Sequence, residues 1–435
     1  MMSNNMRTSE TKKRVVIVGG GFAGIHAYLG LHRKFHSSGD VEIILISERD
    51  YFLFTPMIHE VAAGGLLSTN VTQALRSLPR CCISRFIEAT LQAADLPAKK
   101  VLIRRVNDSL NSEIEEIPYD YLVLALGSDT NFYKTPGAEE YCLTLKNLAD
   151  ALAIKARVID CFARAEEAPD PETRRQWLTF TIVGGGPTGV ELAAELADLI
   201  KNECAQNFPR SAGEAKITLI QAGAALVPQV EAWFAKQATK ILKKIGVGIR
   251  LNSKVREVKS DEVILENDKL PSRVTVWTAG VKAREIEFRG VKDGEIVCDE
   301  VTRRLKVNQY LQLASYPEVF IAGDQAWICD VAQQAPYPMR AQFAVREGAC
   351  VADNLARQIT EKKLVAFSWR DAGFIISLGH GRALAKLFGI RLAGPLAWFM
   401  YRTAYFFKLF GWRAKLRTAL EWTLGLFLPR DISKL

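Results

Sequence analysis

Two glycine runs stand where a chain can cradle phosphate. Gly19-Gly20-Gly21-Phe22-Ala23-Gly24 follows the short apolar run 14–18, and Gly184-Gly185-Gly186-Pro187-Thr188-Gly189 follows the run 178–183. An apolar-periodic stretch comes after each, the first to about Phe35 and the second through Ile200. A G-x-G-x-x-G run is a weak signal alone; between a strand and a helix it is a dinucleotide fingerprint. The chemistry belongs to the backbone. Gly19 and Gly184 turn the chain without a Cβ clash, Gly21 and Gly186 let the backbone approach a pyrophosphate, and Gly24 and Gly189 let helix and strand pack closely. The helix N-terminus then presents its amides and dipole to the phosphate charge. In the second run Pro187 suits a first helical position.

The residue that ends the next strand reads the ribose. The run 41–46 ends at Ser47-Glu48, so Glu48 is the expected partner of the adenosine ribose hydroxyls. The run 216–220 ends at Gln221. An acid there would hold a 2′-hydroxyl and repel a 2′-phosphate. Gln221 keeps the hydrogen bond and loses the repulsion, so NADPH is expected to be tolerated beside NADH.

These residues need a frame. The β-turn-α-β unit occurs twice, and three further strands end in glycine turns: 121–126 at Gly127-Ser128, 274–278 at Ala279-Gly280, and 319–322 at Gly323-Asp324. Pro169, Asp170 and Pro171 mark a linker. The predicted fold is α/β, with two Rossmann-like dinucleotide-binding domains, the second inserted in the first, and a C-terminal helical segment that associates with membranes. The first domain takes residues 12–149 and 286–373, the second takes 150–285, and the basic amphipathic C-terminal region takes 374–435.

Composition narrows the partners. Nearly half of the 435 residues are apolar and 24% are charged, which excludes a disordered chain. The net charge of +9 is uneven: residues 376–435 hold ten Lys/Arg against two Asp/Glu. The remainder is close to neutral, which argues against nucleic acid and for a basic tail with its own partner. The eight cysteines, Cys81 and Cys82 among them, form no C-x-x-C and no Cys/His cluster, so no metal site is expected. Reduced thiols in a cytosol-facing protein are the expected state. Residues 1–14 are polar and have no apolar core of a secretory signal.

The order of these motifs resembles the two-dinucleotide flavoprotein oxidoreductases. Within that group the chain is similar to the type II NAD(P)H:quinone oxidoreductases, through Asp50-Tyr-Phe-Leu-Phe-Thr-Pro56 with His59-Glu-Val-Ala-Ala63, Gly184-Gly-Gly-Pro-Thr-Gly-Val-Glu191, and Arg340-Ala-Gln342. The resemblance implies FAD at Gly19–Gly24, with Asp324 accepting from a ribitol hydroxyl, and NADH or NADPH at Gly184–Gly189. It also implies hydride transfer to the flavin, then reduction of a quinone. Thr55 and Pro56 fall where that family wraps the flavin, and His59 reads as structural there. Glu191 matches the glutamate placed near the nicotinamide. Gln342 matches the first glutamine of the quinone-side motif; where a second is usual, this chain has Arg346. Arg346 is expected either to stabilise a quinone oxyanion or to pair with an acid such as Glu347 and face solvent.

The tail completes the expectation. Residues 394–410 hold Trp398, Phe399, Tyr401, Tyr405, Phe406, Phe407 and Phe410, interrupted by Arg402 and Lys408, which is too charged for a bilayer span. Further on, Trp412, Leu416, Leu420, Thr423, Leu424 and Phe427 share one helix face, with Arg413, Arg417 and Glu421 on the other. This is the pattern of a helix lying in an anionic interface. A homodimer interface is the alternative use of the same face. The expected place is peripheral, on the cytoplasmic face of the cell membrane or the corresponding organelle inner membrane, without proton pumping. Deletion after about Phe374 is expected to release the protein. Two rival readings stand beside this one. A sulfide:quinone oxidoreductase would need cysteines beside the flavin, for which Cys350 is the nearest candidate. A flavin-bearing membrane sensor would bind the cofactors without turnover.

Overall fold

The computed structural model describes residues 12–79, 84–106, 113–330, 335–369, 373–409, 411–425 and 428–433. Cys81, Cys82, Phe410 and Phe427 lie outside the described residues. Along the chain run β1 (Lys13–Val18), α1 (Phe22–Phe35), β2 (Val41–Ser47), α2 (Ile58–Ala62), β3 (Ser84–Asp95), β4 (Lys100–Arg105), β5 (Glu115–Pro118) and β6 (Tyr121–Leu124). Then come β7 (Cys142–Thr144), α3 (Leu148–Glu167), β8 (Thr179–Val183), α4 (Pro187–Asp198), β9 (Lys216–Ile220), β10 (Val247–Arg250) and β11 (Val274–Trp277). The last part holds β12 (Val319–Ile321), α5 (Ala341–Ile359), β13 (Phe374–Ser377), β14 (Ala383–Leu387), β15 (Ile390–Ala393), α6 (Pro395–Lys408) and α7 (Trp412–Leu424). These elements divide into two compact units, Met1–Phe52, Ala74–Asp129 and Lys282–Arg370 in one, and Leu53–Gln73, Thr130–Val281 and Asp371–Leu435 in the other.

The sheet of the first unit has the order β12-β6-β1-β2-β3-β4-β5. Its first five strands are parallel, with Val15 opposite both Ile43 and Tyr121. Val15 to Val18 and Ile43 to Ile46 are almost wholly buried in continuous runs. Parallel strands covered on both faces need such runs, not an alternating pattern. α1 and α5 cross where neither can carry bulk: a Cβ on Gly348 would stand 2.2 Å from the Ala23 carbonyl oxygen.

The second unit holds a five-stranded parallel sheet, β7-β11-β8-β9-β10. α3 starts in a capping box in which Asn147 accepts from the Asp150 amide and Asp150 accepts from the Asn147 amide. Two sequence expectations change here. The predicted linker at 169–171 is a helix start: Asp170 caps the short helix Pro171–Trp177, with Pro171 in the first turn where its missing N–H is no loss. The tail is not all helical either. β13, β14 and β15 form an antiparallel meander, and α6 packs on it through Ala383, Ala385, Ala397 and Tyr401. Alanines at alternate positions of β14 leave room for the helix, and an alanine pattern carries little strand signal.

Candidate functional site

The turn between β1 and α1 shows why three of its positions are glycine. Gly19 has φ +121°, and a Cβ on it would stand 2.1 Å from the Ala125 oxygen. A Cβ on Gly24 would stand 1.9 Å from the Gly19 oxygen. The chain itself forbids side chains at both. The tightest approach at Gly24 is to the turn, and the strand follows at Ile17 Cγ2, 3.5 Å from the same Cβ position. Gly21 differs: its φ of −86° and ψ of −168° suit any residue, and a Cβ there would meet nothing within 4 Å. Nothing in the chain requires glycine at 21, whereas a phosphate approaching the backbone does. As N-cap, Gly21 has no side chain to satisfy the first amides of α1, and the first turn carries no acid to oppose an anion.

The turn between β8 and α4 repeats this in the second unit. Gly184 has φ +115° with its Cβ position 2.7 Å from the Ala279 nitrogen, and a Cβ on Gly189 would stand 1.9 Å from the Gly184 oxygen. A Cβ on Gly186 would again meet nothing within 4 Å. Gly20 and Gly185, which the fingerprint leaves unspecified, are also constrained. Their Cβ positions fall 2.6 Å from Ser47 Oγ and 2.7 Å from Leu226 Cδ2.

The residues beside the two turns are already engaged. Arg284 donates to Glu48 at 2.8 Å and to Asp129 at 2.9 Å, and Arg49 lies 3.4 Å from Glu48. Burial pushes the Glu48 carboxyl upward, but these guanidinium groups outweigh it and hold it below its ordinary value. Glu48 is thus a fixed anion at the strand end. Sequence reasoning missed Arg284, which is 236 positions away in the chain. In the second unit Gln221 accepts from the Gly185 amide at 3.0 Å through Oε1. Its acceptor oxygen buttresses the turn, which leaves the NH2 end as the polar group for a ribose.

Asp324 sits at the tip of the first-unit sheet, in the 3-10 turn Gly323–Gln325 after β12. It is half-buried and accepts from Ser128 Oγ at 2.5 Å. Gly323 has φ +70° and its amide donates to Glu347 at 2.6 Å. Burial pushes the Glu347 carboxyl up to about 8, so it is neutral at neutral pH. Gln325 donates to the carbonyls of Gly127 and Arg284. Gly127 has φ +78° with open space where a Cβ would be. Gln342 is half-buried in the first turn of α5. Arg346 is exposed, with its guanidinium 5.9 Å from the Trp369 ring. It is not paired with Glu347, which faces the interior.

Glu191 leads to a part of the second unit that the motifs did not announce. It is buried on α4, accepts from the Ser377 amide at 3.2 Å, and lies 3.8 Å from His59 Nδ1. Burial raises it well above the ordinary carboxyl range. His59 is buried and held down to about 3, hence neutral. Its Nε2 lies 3.4 Å from Tyr401 Oη, which donates to Glu60 at 2.8 Å. Arg430 donates to Glu195 at 2.8 Å, and Arg382 grips both oxygens of Asp198. Thr55 is exposed and Pro56 half-buried in the turn that leads into α2. Gly280, at φ +99°, lies against Tyr133. The predicted residues therefore divide by unit. Gly19, Gly21, Gly24, Glu48, Gly127, Gly323, Asp324, Gln342 and Arg346 lie in the first. Thr55, Pro56, Gly184, Gly186, Gly189, Glu191, Gln221 and Gly280 lie in the second.

Comparison with known proteins accords with this geometry. A model of the pyridine nucleotide-disulphide oxidoreductase family matches residues 13–348. The type II NADH:quinone oxidoreductase Ndh of Mycobacterium tuberculosis is 28% identical over 431 residues, which cover 96% of this chain and 89% of that one. Among solved structures, NDH2 from Plasmodium falciparum in complex with NADH has the same fold, with a TM-score of 0.88 at 19% identity over 97% of this chain and 100% of its own. The sulfide:quinone oxidoreductase of Aquifex aeolicus has a TM-score of 0.72 at 21% identity, over 96% of this chain and 95% of its own. The two glycine turns lie inside the matched span, and the chain belongs to the pyridine nucleotide-disulphide oxidoreductase family.

Proposed function

We propose that the protein is a type II NAD(P)H:quinone oxidoreductase that binds FAD at Gly19–Gly24 and NADH or NADPH at Gly184–Gly189. The observation that carries this reading is the pair Gly21 and Gly186, glycines whose missing side chains nothing in the chain demands. Two phosphate cradles in one chain suit a hydride donor and a hydride acceptor. When bound, the isoalloxazine supplies the redox chemistry, taking a hydride and giving up two electrons. The chain's own residues bind and orient. Glu48 and Asp324 are the acceptors for ribose and ribitol hydroxyls, with Ser128 fixing Asp324. Glu191, whose carboxyl burial raises well above its ordinary range, lies near the nicotinamide and helps position it. Thr55 and Pro56 border the flavin, and Gln342 and Arg346 stand on the quinone side.

Gln221 faces the second ribose with its NH2 group, which suits a 2′-hydroxyl or a 2′-phosphate, so both nucleotides serve. The tail supports the acceptor's being a membrane quinone. Trp412, Leu416, Leu420 and Leu424 are each more than half exposed, while the buried side of α7 is Thr418 and Trp422. A stripe of that size turned away from its own protein suits the interfacial zone of a bilayer. Arg413, Lys415 and Arg417 on the same helix suit anionic headgroups. One detail of the sequence reading changes: Glu421 belongs to neither outer face, because it accepts from the Leu67 amide and from Asn70. Among the described residues no helix is long and apolar enough to cross a membrane. We read the protein as a peripheral enzyme, on the cytoplasmic face of the cell membrane or the corresponding organelle inner membrane, passing electrons without pumping protons. The sulfide alternative needs a reactive thiolate, and burial pushes Cys350 up to about 11.

Anaerobic mixing with NADH and NADPH, followed by a quinone panel in detergent, tests the reading. Bleaching of the flavin by either nucleotide and recovery with quinone are expected. A flavin that stays oxidised sinks it. Sedimentation alone against sedimentation with anionic vesicles separates a dimer from a membrane partner.

A further inference from the structure

Reduction of a quinone by a nicotinamide consumes one proton: NAD(P)H + H⁺ + quinone gives NAD(P)⁺ + quinol. The hydride accounts for both electrons and one hydrogen. The other hydrogen of the quinol must be delivered to an oxygen atom as the charge develops there. In a site closed to water the protein has to hold that proton.

We infer, resting on the quinone reductase reading above, that Glu60 holds this proton in the second unit and releases it through the hydroxyl of Tyr401. The placement is the first argument. Glu60 lies on α2, one turn beyond Thr55 and Pro56, the segment expected beside the flavin. It is buried, and its Oε1 accepts from Tyr401 Oη at 2.8 Å. Tyr401 is itself 1% exposed and comes from α6. Its oxygen also lies 3.4 Å from His59 Nε2, and His59 Nδ1 lies 3.8 Å from Glu191. The result is a hydrogen-bonded series, Glu60, Tyr401 and His59, with Glu191 close beyond it, inside one unit. A core that needed only packing would place apolar side chains at these positions, since each buried polar group costs desolvation.

The surroundings set the poise. Facing Glu60 are the carboxyl groups of Glu195 and Glu191, the guanidinium groups of Arg402 and Arg430, and the hydroxyls of Tyr401 and Tyr405. Burial and Glu195 favour the protonated form, and the two arginines with Tyr401 oppose them; the balance lies at about 7. Glu195 is engaged by Arg430 at 2.8 Å, so one arginine serves two acids. The step balances. In the protonated form Glu60 donates across the same 2.8 Å contact and the Tyr401 O–H turns to the quinone; the Glu60 O–H bond breaks as Tyr401 accepts that proton, and the Tyr401 proton forms the O–H bond of the quinol. The carboxylate left behind is stabilised by Arg402 and Arg430 until it regains a proton from solvent. At the end of the cluster Asp198 is itself buried, held by Arg382 and by the amide of His380, and His380 is exposed.

Stopped-flow half-reactions of the flavin-loaded full chain test this with Glu60→Gln and Tyr401→Phe. Glutamine can still accept from Tyr401, so its fold and flavin content should match wild type. Both variants should be bleached by NADH at a rate within about twofold of wild type. Reoxidation by quinone should slow by about a hundredfold or more in Glu60→Gln. Reoxidation by ferricyanide, which takes electrons without a proton, should be unchanged. In wild type the quinone step should slow as pH rises through about 7, and that break should vanish in Glu60→Gln. In wild type, the infrared difference spectrum between oxidised and reduced protein should contain a protonated-carboxyl band that Glu60→Gln removes. This reading also holds if only Tyr401→Phe can be purified, provided it shows the same split between quinone and ferricyanide. An unaltered quinone step with an unaltered pH profile overturns the inference, as does equal slowing with both acceptors. A wild-type flavin that NADH fails to bleach overturns the quinone reductase reading instead.

Discussion

Gly186→Ala gives the sharpest test of the two cradles. The backbone there, φ −72° and ψ −178°, is open to alanine, and the new Cβ would meet no atom of the protein within 4 Å. The folded state should lose only the difference between glycine and alanine at an N-cap, about 0.5–1 kcal/mol. The methyl group would instead stand where a pyrophosphate approaches the first amides of α4. Forfeiting one or two charge-assisted hydrogen bonds costs about 1.5–3 kcal/mol each. The KM for NADH should therefore rise about tenfold for one weak bond and up to about ten-thousandfold for two strong ones. Flavin content should stay at the wild-type level, since the proposed flavin site is the other cradle. Gly189→Ala provides the contrast, because its Cβ would stand 1.9 Å from the Gly184 oxygen. It should cost stability outright, with a fall in Tm and in yield. Steady-state kinetics and thermal melts of the two variants distinguish the cases. If Gly186→Ala leaves the KM unchanged, or melts as early as Gly189→Ala, the argument from clear space is wrong.

Gln221→Glu should raise the KM for NADPH about tenfold or more while leaving that for NADH within about threefold, read from parallel titrations. Glu347 is buried with its carboxyl raised to about 8 in the folded chain, from an ordinary value of 4.5. The folded state thus binds a proton that the unfolded state releases, and that stabilisation is present below the ordinary value and lost as pH rises to about 8. The Tm of wild type should fall across pH 5–8 more steeply than that of Glu347→Gln, as measured by calorimetry. Asp324→Ala should lower flavin occupancy in the purified protein, read from the ratio of flavin to protein absorbance, because it removes the carboxylate that Ser128 holds in place.

What was legible in the sequence was what depends on local backbone demands. The strands 13–18, 41–47, 179–183 and 216–220 fall within about two residues of their expected positions, because β-branched runs bounded by glycine turns fit little else. The turns at Gly19 and Gly184, at φ +121° and +115°, were readable for the same reason. What was not legible depends on tertiary pairing. Arg284 meets Glu48 only because the chain returns after 236 residues. The acidic cluster draws on α2, α4, α6 and the segment 428–433, and no spacing rule connects Glu60 with Tyr401 across 341 positions. Glu195 and Asp198 are the charged positions of the apolar-periodic stretch after the second glycine run, and both are buried. Helical periodicity shows that a face is polar without showing what covers it.

The tail most changes how the membrane reading must be tested. From sequence, deletion after about Phe374 was the natural experiment. In the folded unit that deletion removes Arg430 from Glu195, Asp431 from Lys155 and Arg382 from Asp198. Each loss leaves a largely buried charge without its partner, which costs about 3–5 kcal/mol. Release of the truncated chain would then report damage to the core as much as loss of an anchor. The stripe on α7 can be altered without touching these pairs. Leu416, Leu420 and Leu424 are 52%, 57% and 54% exposed, so the combined change to serine should leave the Tm within about 2 °C of wild type. Burying a leucine is worth about 1.5–3 kcal/mol in full. Even half of that for each of three residues predicts that binding to anionic vesicles weakens by about fiftyfold or more. Co-sedimentation measures it, with flavin bleaching by NADH as the control for an intact core. Undiminished vesicle binding by the triple variant would mean that the outward face of α7 serves another partner, with a second copy of the chain next to be tried.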